Sequence, residues 1–233
     1  MLSRRAWFGT VGVATAAVMA GCATSTKTAA PSEVTHPVIS GADQALAELL
    51  DGNRRFVTAK RTYPDQSIQV RRELSTAQKP FAVVLSCSDS RVPPEEIFDQ
   101  GLGDLFVVRL AGNIVDQAVR GSIAYAVEEF GTTLIMVLGH QNCGAVAATL
   151  KTLQPPFITP AGAVGELVTA IAPAVEAAKG RPGDLLDNAV RANAIQSADQ
   201  IRTTSELTAS LDSGAVKLVV GYYSLQDGTV SII

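Results

Sequence analysis

Residues 80–91 read Pro-Phe-Ala-Val-Val-Leu-Ser-Cys-Ser-Asp-Ser-Arg, and they give the strongest indication of the fold. Its first half is a short, continuous apolar run, which is typical of a strand that is buried on both faces. Its second half places a thiol, a carboxylate and a guanidinium, those of Cys87, Asp89 and Arg91, directly after that strand. The pattern therefore predicts a parallel sheet with chemically active groups at the carboxyl end of one strand.

Four further apolar segments are strand candidates, and helical periodicity lies between them. The strands are predicted at 105–109, 134–138, 215–221 and 229–232, the last of which pairs back through a turn at 226–228. The helices are predicted at 40–56, 67–77, 117–130, 144–153, 164–179 and 185–211. We expect Ser40 to cap the first helix and Gly139 to end the third strand. This alternation predicts an α/β fold, with a mainly parallel four-stranded central sheet flanked by helices and an antiparallel edge strand at the C-terminus.

A second polar motif, His140-Gln-Asn-Cys143, follows the strand predicted at 134–138. Because parallel strands end at one edge of a sheet, we expect His140 and Cys143 to meet Cys87 there. Two thiols and one imidazole form a ligand set suited to zinc, and three protein ligands leave the fourth position open, as in catalytic sites. We expect one zinc ion per subunit. A structural zinc with Asp89 as the fourth ligand, or a disulfide between the two cysteines, is the alternative.

The N-terminal residues carry the features of an export signal. A twin-arginine pattern at 3–8 overlaps an apolar stretch at 6–20 that is too short to span a membrane. Residues 19–22, Met-Ala-Gly-Cys, resemble a lipobox, in which the cysteine becomes the lipidated N-terminus. We therefore predict an exported, periplasmic or cell-envelope protein that is anchored to a membrane by lipid on Cys22. An ordinary signal peptide with an incidental Cys22 is the alternative.

These features divide the chain into three segments. We predict a signal peptide over 1–21, a flexible tether over 22–39, and a single zinc-binding domain over 40–233. The chain is 47% hydrophobic and 18% charged, a balance that leaves room for a substantial core. Its net charge is −3 and it contains no basic run, so we expect no nucleic-acid partner.

Four spaced motifs occur together in one order. They are Cys87-Ser-Asp-Ser-Arg-Val92, Asp104-Leu-Phe-Val-Val-Arg109, Ala111-Gly-Asn113 and Gly139-His-Gln-Asn-Cys-Gly-Ala145. On these motifs the chain resembles the β-class carbonic anhydrases from about residue 40 to the C-terminus. The resemblance implies that Cys87, His140 and Cys143 bind zinc. It also implies that the substrates are CO2 and bicarbonate, and that the protein forms a homodimer or a dimer of dimers.

The resemblance also implies a mechanism, the reversible hydration of CO2 to bicarbonate and a proton by zinc-bound hydroxide. Asp89 is expected to accept the hydrogen bond of the hydroxide, while Arg91 keeps Asp89 ionised and oriented. In one subclass the counterpart of Asp89 binds zinc at low pH, and a tryptophan three residues before the first zinc cysteine helps to build a bicarbonate pocket. Val84 stands at that position here, so we expect the open form, with Asp89 off the metal. Arg109 matches an arginine of that pocket, and we expect it to form a structural ion pair instead.

Two further residues are expected to contact substrate. Gly112 would allow close backbone approach, and Gln100 lies near the position of a substrate glutamine in plant-type members. The motifs leave other functions open: hydrolysis of carbon disulfide or carbonyl sulfide on the same fold, a non-catalytic zinc-bearing module that binds bicarbonate, or a thiol-redox protein. The Asp89–Arg91 pair argues against the module, and the wide spacing of the two thiols argues against the redox protein.

Overall fold

The computed structural model describes residues 39–158 and 160–233, which belong to one compact unit. Its strands are β1 Ala82–Cys87, β2 Leu105–Leu110, β3 Leu134–His140, β4 Lys217–Tyr223 and β5 Val230–Ile232. They form one sheet in the order β2-β1-β3-β4-β5. The first four strands are parallel and β5 runs antiparallel to β4, which confirms the predicted α/β class and the antiparallel edge strand.

Helices connect the strands and cover both faces of the sheet. They are α1 Ala42–Val57, α2 Ile68–Glu73, α3 Pro94–Ile97, α4 Gln117–Phe130, α5 Gly144–Thr152, α6 Ala163–Ala178, α7 Leu185–Arg202 and α8 Ser205–Asp212. A single 3-10 turn, Ala111–Asn113, follows β2. No described helix is long and apolar enough to cross a membrane. The predicted signal peptide, the predicted tether up to residue 38, and Cys22 lie outside the described residues.

The central strand β1 divides the core into two layers. All six of its side chains are buried, as its continuous apolar run predicts. Val83 and Leu85 pack on the face that α4 and α7 cover, whereas Ala82 and Val84 pack on the face that α1 covers. A strand with apolar neighbours on both faces must be apolar at every position, because its side chains alternate between the two layers.

The strand order places the ends of β1 and β3 at the point where the sheet topology reverses. β1 pairs with β2 on one side and with β3 on the other, so the chain leaves β1 in one direction and returns on the opposite side. Ligands of open α/β sheets bind in the crevice beyond the carboxyl ends of strands at such a point. Cys87 is the last residue of β1 and His140 is the last residue of β3.

The prediction that Gly139 ends β3 is wrong. The strand continues through Gly139 and His140, which pair with Tyr222 and Tyr223 of β4. Gly139 instead makes room for α7, because a Cβ atom at this position would lie 3.1 Å from the Cβ of Ala194. The pairing with β4 thus carries His140 to the edge of the sheet within regular strand geometry.

The start of α1 also differs from the prediction. Gly41, rather than Ser40, is the N-cap residue of this helix. The backbone N–H and the hydroxyl of Ser40 both donate to Oε1 of Gln44 at 2.8 Å. Ser40 therefore supports the first turn from outside the helix and does not cap it with its own oxygen.

The helix predicted at 185–211 is two helices, α7 and α8. The Arg120 guanidinium of α4 donates a hydrogen bond to the carbonyl of Gln200. In a continuous α-helix that carbonyl would accept from the N–H of Thr204. The Thr204 N–H bonds to the carbonyl of Ile201 instead, at 3.0 Å, and α8 begins at the following residue. A contact from another helix therefore breaks a pattern that is periodic in the sequence.

Candidate metal centre

Three predicted ligands meet at the carboxyl edge of the sheet. The Sγ atoms of Cys87 and Cys143 and a ring nitrogen of His140 all lie within 4.8 Å of one another, and all three residues are buried. Cys87 ends β1, His140 ends β3, and Cys143 is the N-cap residue of α5. The sheet topology thus brings together two segments that are far apart in sequence.

The imidazole of His140 has the form of a metal ligand. Its Nδ1 lies 2.9 Å from the carbonyl of Gln141 and donates to it, which leaves Nε2 with a free lone pair. Nε2 is buried and has no hydrogen-bond partner among the described residues. Buried polar atoms are rarely left unpaired, and metal-binding histidines usually hold their second nitrogen in this way.

The two thiols are free and interact with each other. Cys143 lowers the pKa of Cys87 to about 4, with further help from His140 and from the N–H of Gly112, although burial opposes the shift. The pKa of Cys143 is raised, first by its contact with Cys87 and then by burial. The second thiol therefore resists ionising beside the first unless a cation neutralises the charge. Two thiols, an imidazole lone pair and buried surroundings fit a zinc ion.

Asp89 and Arg91 form a bidentate ion pair beside these ligands. Nε and Nη2 of Arg91 donate to the two carboxylate oxygens of Asp89 at 2.9 and 2.8 Å, and the Arg91 backbone N–H adds a bond of 3.0 Å. Arg91 thereby holds the pKa of Asp89 well below its usual range. The Oδ2 atom of Asp89 lies 4.0 Å from Nε2 of His140. Asp89 is thus adjacent to the ligand set, with both oxygens on Arg91, which is the arrangement expected of the open form.

Arg109 holds the backbone of the same loop. Its Nε donates to the carbonyl of Cys87 at 3.0 Å, and its Nη2 donates to the carbonyl of Asp89 at 2.7 Å. The hydrogen bonds of Arg109 are thus to backbone carbonyls and differ from the ion pair that we predict for it from the sequence. A signal was present in the sequence, because Arg109 is the one charged residue of the apolar strand β2.

Gly112 contacts a ligand directly. Its N–H donates to Sγ of Cys87 at 3.2 Å, and its φ of 71° lies in the left-handed region. A Cβ atom here would lie 2.7 Å from Cδ1 of Ile171, so the close approach requires glycine. The backbone of Gly112 therefore lies against the candidate metal site, where its N–H bonds to Cys87, and its contact with substrate stays a prediction.

Gln100 lies elsewhere in the fold. It is buried, and its Nε2 donates to the carbonyl of Phe98 at 2.9 Å and to Oε1 of Glu48 at 3.3 Å. It lines a cleft of about 720 Å³ together with Phe81 and Thr133, which stand at the amino ends of β1 and β3. Within one chain, the fold does not bring Gln100 to the three ligands.

Two buried polar residues of α7, Asn193 and Ser197, were not singled out from the sequence. Their side chains donate to the carbonyls of Gly112 and Asn113 in the turn that contacts Cys87. A sequence signal did exist, since both stand among small apolar residues on the buried face of the helix. Together with the three candidate ligands and the ion pair, they form a buried polar site in an α/β protein whose residues could hold a metal ion.

Comparison with known proteins identifies the family. The carbonic anhydrase family profile matches residues 82–230. The carbonic anhydrase of Mycolicibacterium smegmatis is 42% identical over 186 residues, which cover 79% of this chain and 89% of that protein. The solved structure of the β-carbonic anhydrase CcaA is 25% identical and aligns with a TM-score of 0.62 over 81% of this chain and 91% of that one. A Coccomyxa β-carbonic anhydrase in complex with acetazolamide is 26% identical and also gives 0.62, over 81% and 86%.

The chain belongs to the carbonic anhydrase family, and within it to the β class. The family match spans β1 to the first residue of β5 and includes all three cysteine and histidine ligands, Asp89 and Arg91. The resemblance that the four motifs indicate is thereby confirmed.

Proposed function

We propose that this protein catalyses the reversible hydration of CO2 to bicarbonate with one zinc ion per subunit. The observation that carries the proposal is the meeting of Cys87, His140 and Cys143 within 4.8 Å, with the Asp89–Arg91 pair directly beside them. Membership of the carbonic anhydrase family supports the same activity.

Cys87, His140 through Nε2, and Cys143 would hold the metal. Zinc bound by three protein ligands lowers the pKa of a coordinated water from 15.7 toward about 7 and so makes a nucleophile available near neutral pH. The carbonyl of Gln141 fixes the ring of His140 for this task. The N–H of Gly112 and the start of α5 stabilise the negative charge of the two sulfurs.

Asp89 would orient the attacking water. Its carboxylate is ionised and only accepts hydrogen bonds, so it would accept a hydrogen bond from the nucleophile and leave a lone pair of that oxygen free to attack CO2. Arg91 keeps the carboxylate ionised, and therefore able to accept, through its bidentate hydrogen bonds. The Arg91 side chain is half exposed, so the pair stands at the solvent boundary, where the released proton passes to buffer.

The deciding experiment pairs zinc content with stopped-flow CO2 hydration on the full-length protein. We expect one zinc per chain and rapid hydration that is lost on removal of the metal. Protein that carries zinc yet hydrates CO2 no faster than buffer would contradict the proposal. Hydrolysis of carbon disulfide by such protein would then identify the alternative substrate.

We also propose that the protein acts as a homodimer or a dimer of dimers. The support is the edge strand β2, whose six residues are all only half-buried and whose outer side has no strand beside it in the described sheet. An apolar aromatic cluster of Phe106, Tyr125 and Phe130 adjoins it, with Tyr125 51% exposed. A long, apolar, uncovered edge favours pairing with a second copy of the chain.

Light scattering of the Tyr125→Lys variant tests the oligomer, and Tyr63→Lys is the control because Tyr63 is equally exposed. We expect Tyr125→Lys to lower the mass of the particle, and an unchanged mass in this variant would contradict the proposal.

Export and lipid anchoring at Cys22 complete the proposal. The support is the twin-arginine pattern and the lipobox-like residues 19–22. Because the twin-arginine route carries folded proteins, zinc would be bound before export. We expect Cys22→Ser to move the protein from the membrane fraction to a soluble one, and replacement of both Arg4 and Arg5 by lysine to block export. Unchanged fractionation of both variants would contradict the anchor and the route.

A further inference from the structure

A chain of buried hydrogen bonds connects α7 to the sulfur of Cys87. Asn193 Nδ2 donates to the carbonyl of Gly112 at 2.7 Å, and Ser197 Oγ donates to the carbonyl of Asn113 at 2.8 Å. The N–H of Gly112 in turn donates to Sγ of Cys87 at 3.2 Å. Asn193 and Ser197 are each 1% exposed, so these bonds are shielded from water.

The turn Ala111–Asn113, which lies between α7 and Cys87 in the fold, has an unusual backbone conformation that these bonds support. Gly112 and Asn113 have φ angles of 71° and 44°, both in the left-handed region. Glycine and asparagine are among the residues that adopt this region most readily, and contacts from the surroundings keep such a turn in one conformation. The two donors from α7 satisfy the carbonyls of both residues of the turn. They therefore anchor the peptide groups that follow Gly112, and this anchoring holds the residue whose N–H donates to Cys87 in place.

The two sulfurs of the site receive N–H groups from different sources. Cys143 precedes α5, and the N–H groups of Ala145 and Val146 in that helix favour its thiolate. Cys87 receives the backbone N–H groups of Asp89 and Gly112, and the Gly112 donor belongs to a short turn, which has no regular helix to hold it. The α7 contacts supply the rigidity that α5 provides for Cys143.

We propose that Asn193 and Ser197 are positioning residues that keep the Gly112 N–H on the Cys87 thiolate and so limit the negative charge that this sulfur donates to zinc. A hydrogen bond to a thiolate withdraws electron density from sulfur, and partners of metal ligands tune the metal in this way. A site with two thiolates has a particular need of it, since strong donation makes the metal a weaker Lewis acid. The inference deepens the proposed function and depends on the proposed zinc site.

Cobalt(II) substitution of the full-length protein reports on the charge of the sulfur atoms, because thiolate-to-cobalt charge transfer absorbs in the near ultraviolet. The energy of this absorption band falls as the sulfur becomes more electron-rich. The variants are Asn193→Leu, which keeps the volume without the donor, and Ser197→Ala, which removes one bond. Gln196→Leu is the matched control, since Gln196 lies on the same helix and donates to the carbonyl of Ala170 at 2.8 Å, away from the turn.

We expect the band to move to lower energy in Asn193→Leu, and by less in Ser197→Ala, while Gln196→Leu matches wild type. In the zinc forms we expect kcat/KM for CO2 hydration to fall about tenfold in Asn193→Leu. A band position in Asn193→Leu equal to that of Gln196→Leu would overturn the inference. If Asn193→Leu does not fold, the band of Ser197→Ala decides by the same criterion.

The failure of the proposed function has a different signature. A wild-type charge-transfer band without CO2 hydration would contradict the function and leave the role of Asn193 to be judged from the band shift. The absence of any such band in wild type would contradict the metal site and this inference together.

Discussion

Arg109 and Asp89 are joined by a hydrogen bond of 2.7 Å from the guanidinium Nη2 to the backbone carbonyl, and the same guanidinium donates through Nε to the carbonyl of Cys87. Arg91 binds the carboxylate of Asp89, so one arginine holds the side chain of this residue and the other holds its backbone. One forked side chain thereby ties Cys87, a candidate metal ligand, to the residue that we propose orients the nucleophile. A lysine at position 109 lacks the rigid planar fork that spans the two carbonyls, because its three donors radiate from one compact ammonium group.

We expect Arg109→Lys to lower kcat/KM for CO2 hydration by about 10- to 100-fold while zinc content stays at one per chain. The loss reflects a freer Asp89 backbone, since the ligands themselves are intact. Arg120→Lys is the control, because Arg120 also donates to a backbone carbonyl but joins α4 to the end of α7. Equal activity of Arg109→Lys and wild type, measured by stopped flow, would show that the loop needs no such tie.

Asp89 and Cys143 are expected to separate catalysis from metal binding. Asp89→Ala should retain zinc and lose most activity, because the ligand set is complete without it. Cys143→Ala should lose zinc, because two protein ligands remain of three. Zinc content by elemental analysis and hydration rate, measured on the same preparations, test both. Full turnover in Asp89→Ala would refute the role given to this carboxylate.

Gly112→Ala tests the close approach of the turn to Cys87. The new Cβ atom would lie 2.7 Å from Cδ1 of Ile171 at a φ of 71°, so we expect unfolding to become easier by about 1 to 3 kcal/mol and zinc to bind more weakly. Gly131→Ala is the matched control, with a φ of 65° and open space around its Cβ. Chemical denaturation and zinc competition with a chelating dye measure the two effects. Equal zinc affinity in both variants would mean that the turn does not support the site.

The lowered pKa of Asp99 predicts that this residue contributes to stability at neutral pH and loses that contribution in acid. Burial raises its pKa, but the N–H of Thr62, the Arg55 guanidinium and the N–H of Tyr63 outweigh it, so the pKa is lowered. The contribution is therefore complete above the unfolded-state pKa of about 3.9 and is lost as pH falls through the folded-state value.

We expect Asp99→Asn to lose about 2 kcal/mol of unfolding free energy at pH 7 through the weakened contacts with Arg55 and Thr62. The difference from wild type should shrink as pH falls below about 4. Urea unfolding between pH 7 and pH 3 follows the two proteins, with Asp212→Asn, a substitution at the end of α8, as a surface control. A difference that stays constant over this range would contradict the assignment.

Much of the fold could be predicted because local pattern and tertiary role coincide. A continuous apolar run is required of a strand with helices on both faces, and β1 shows it at all six positions. The prediction missed α3, since four residues are too few to show helical periodicity. It joined α7 to α8, since the bond that separates them comes from Arg120, which lies 80 residues before Gln200.

The sequence by itself determined the chemistry of the site. Cys87, Asp89, Arg91, His140 and Cys143 stand in two short motifs that directly follow strands, and the ends of parallel strands meet, so ligand type and position could be inferred together. The side chains that support the site through its backbone carbonyls became clear only from the tertiary structure. Arg109, Asn193 and Ser197 donate to carbonyls 20 to 84 residues away, and nothing in the local sequence identifies those carbonyls. Each of the three stands out in the sequence as a polar residue among apolar ones, but only the packed chain reveals the carbonyl that it binds.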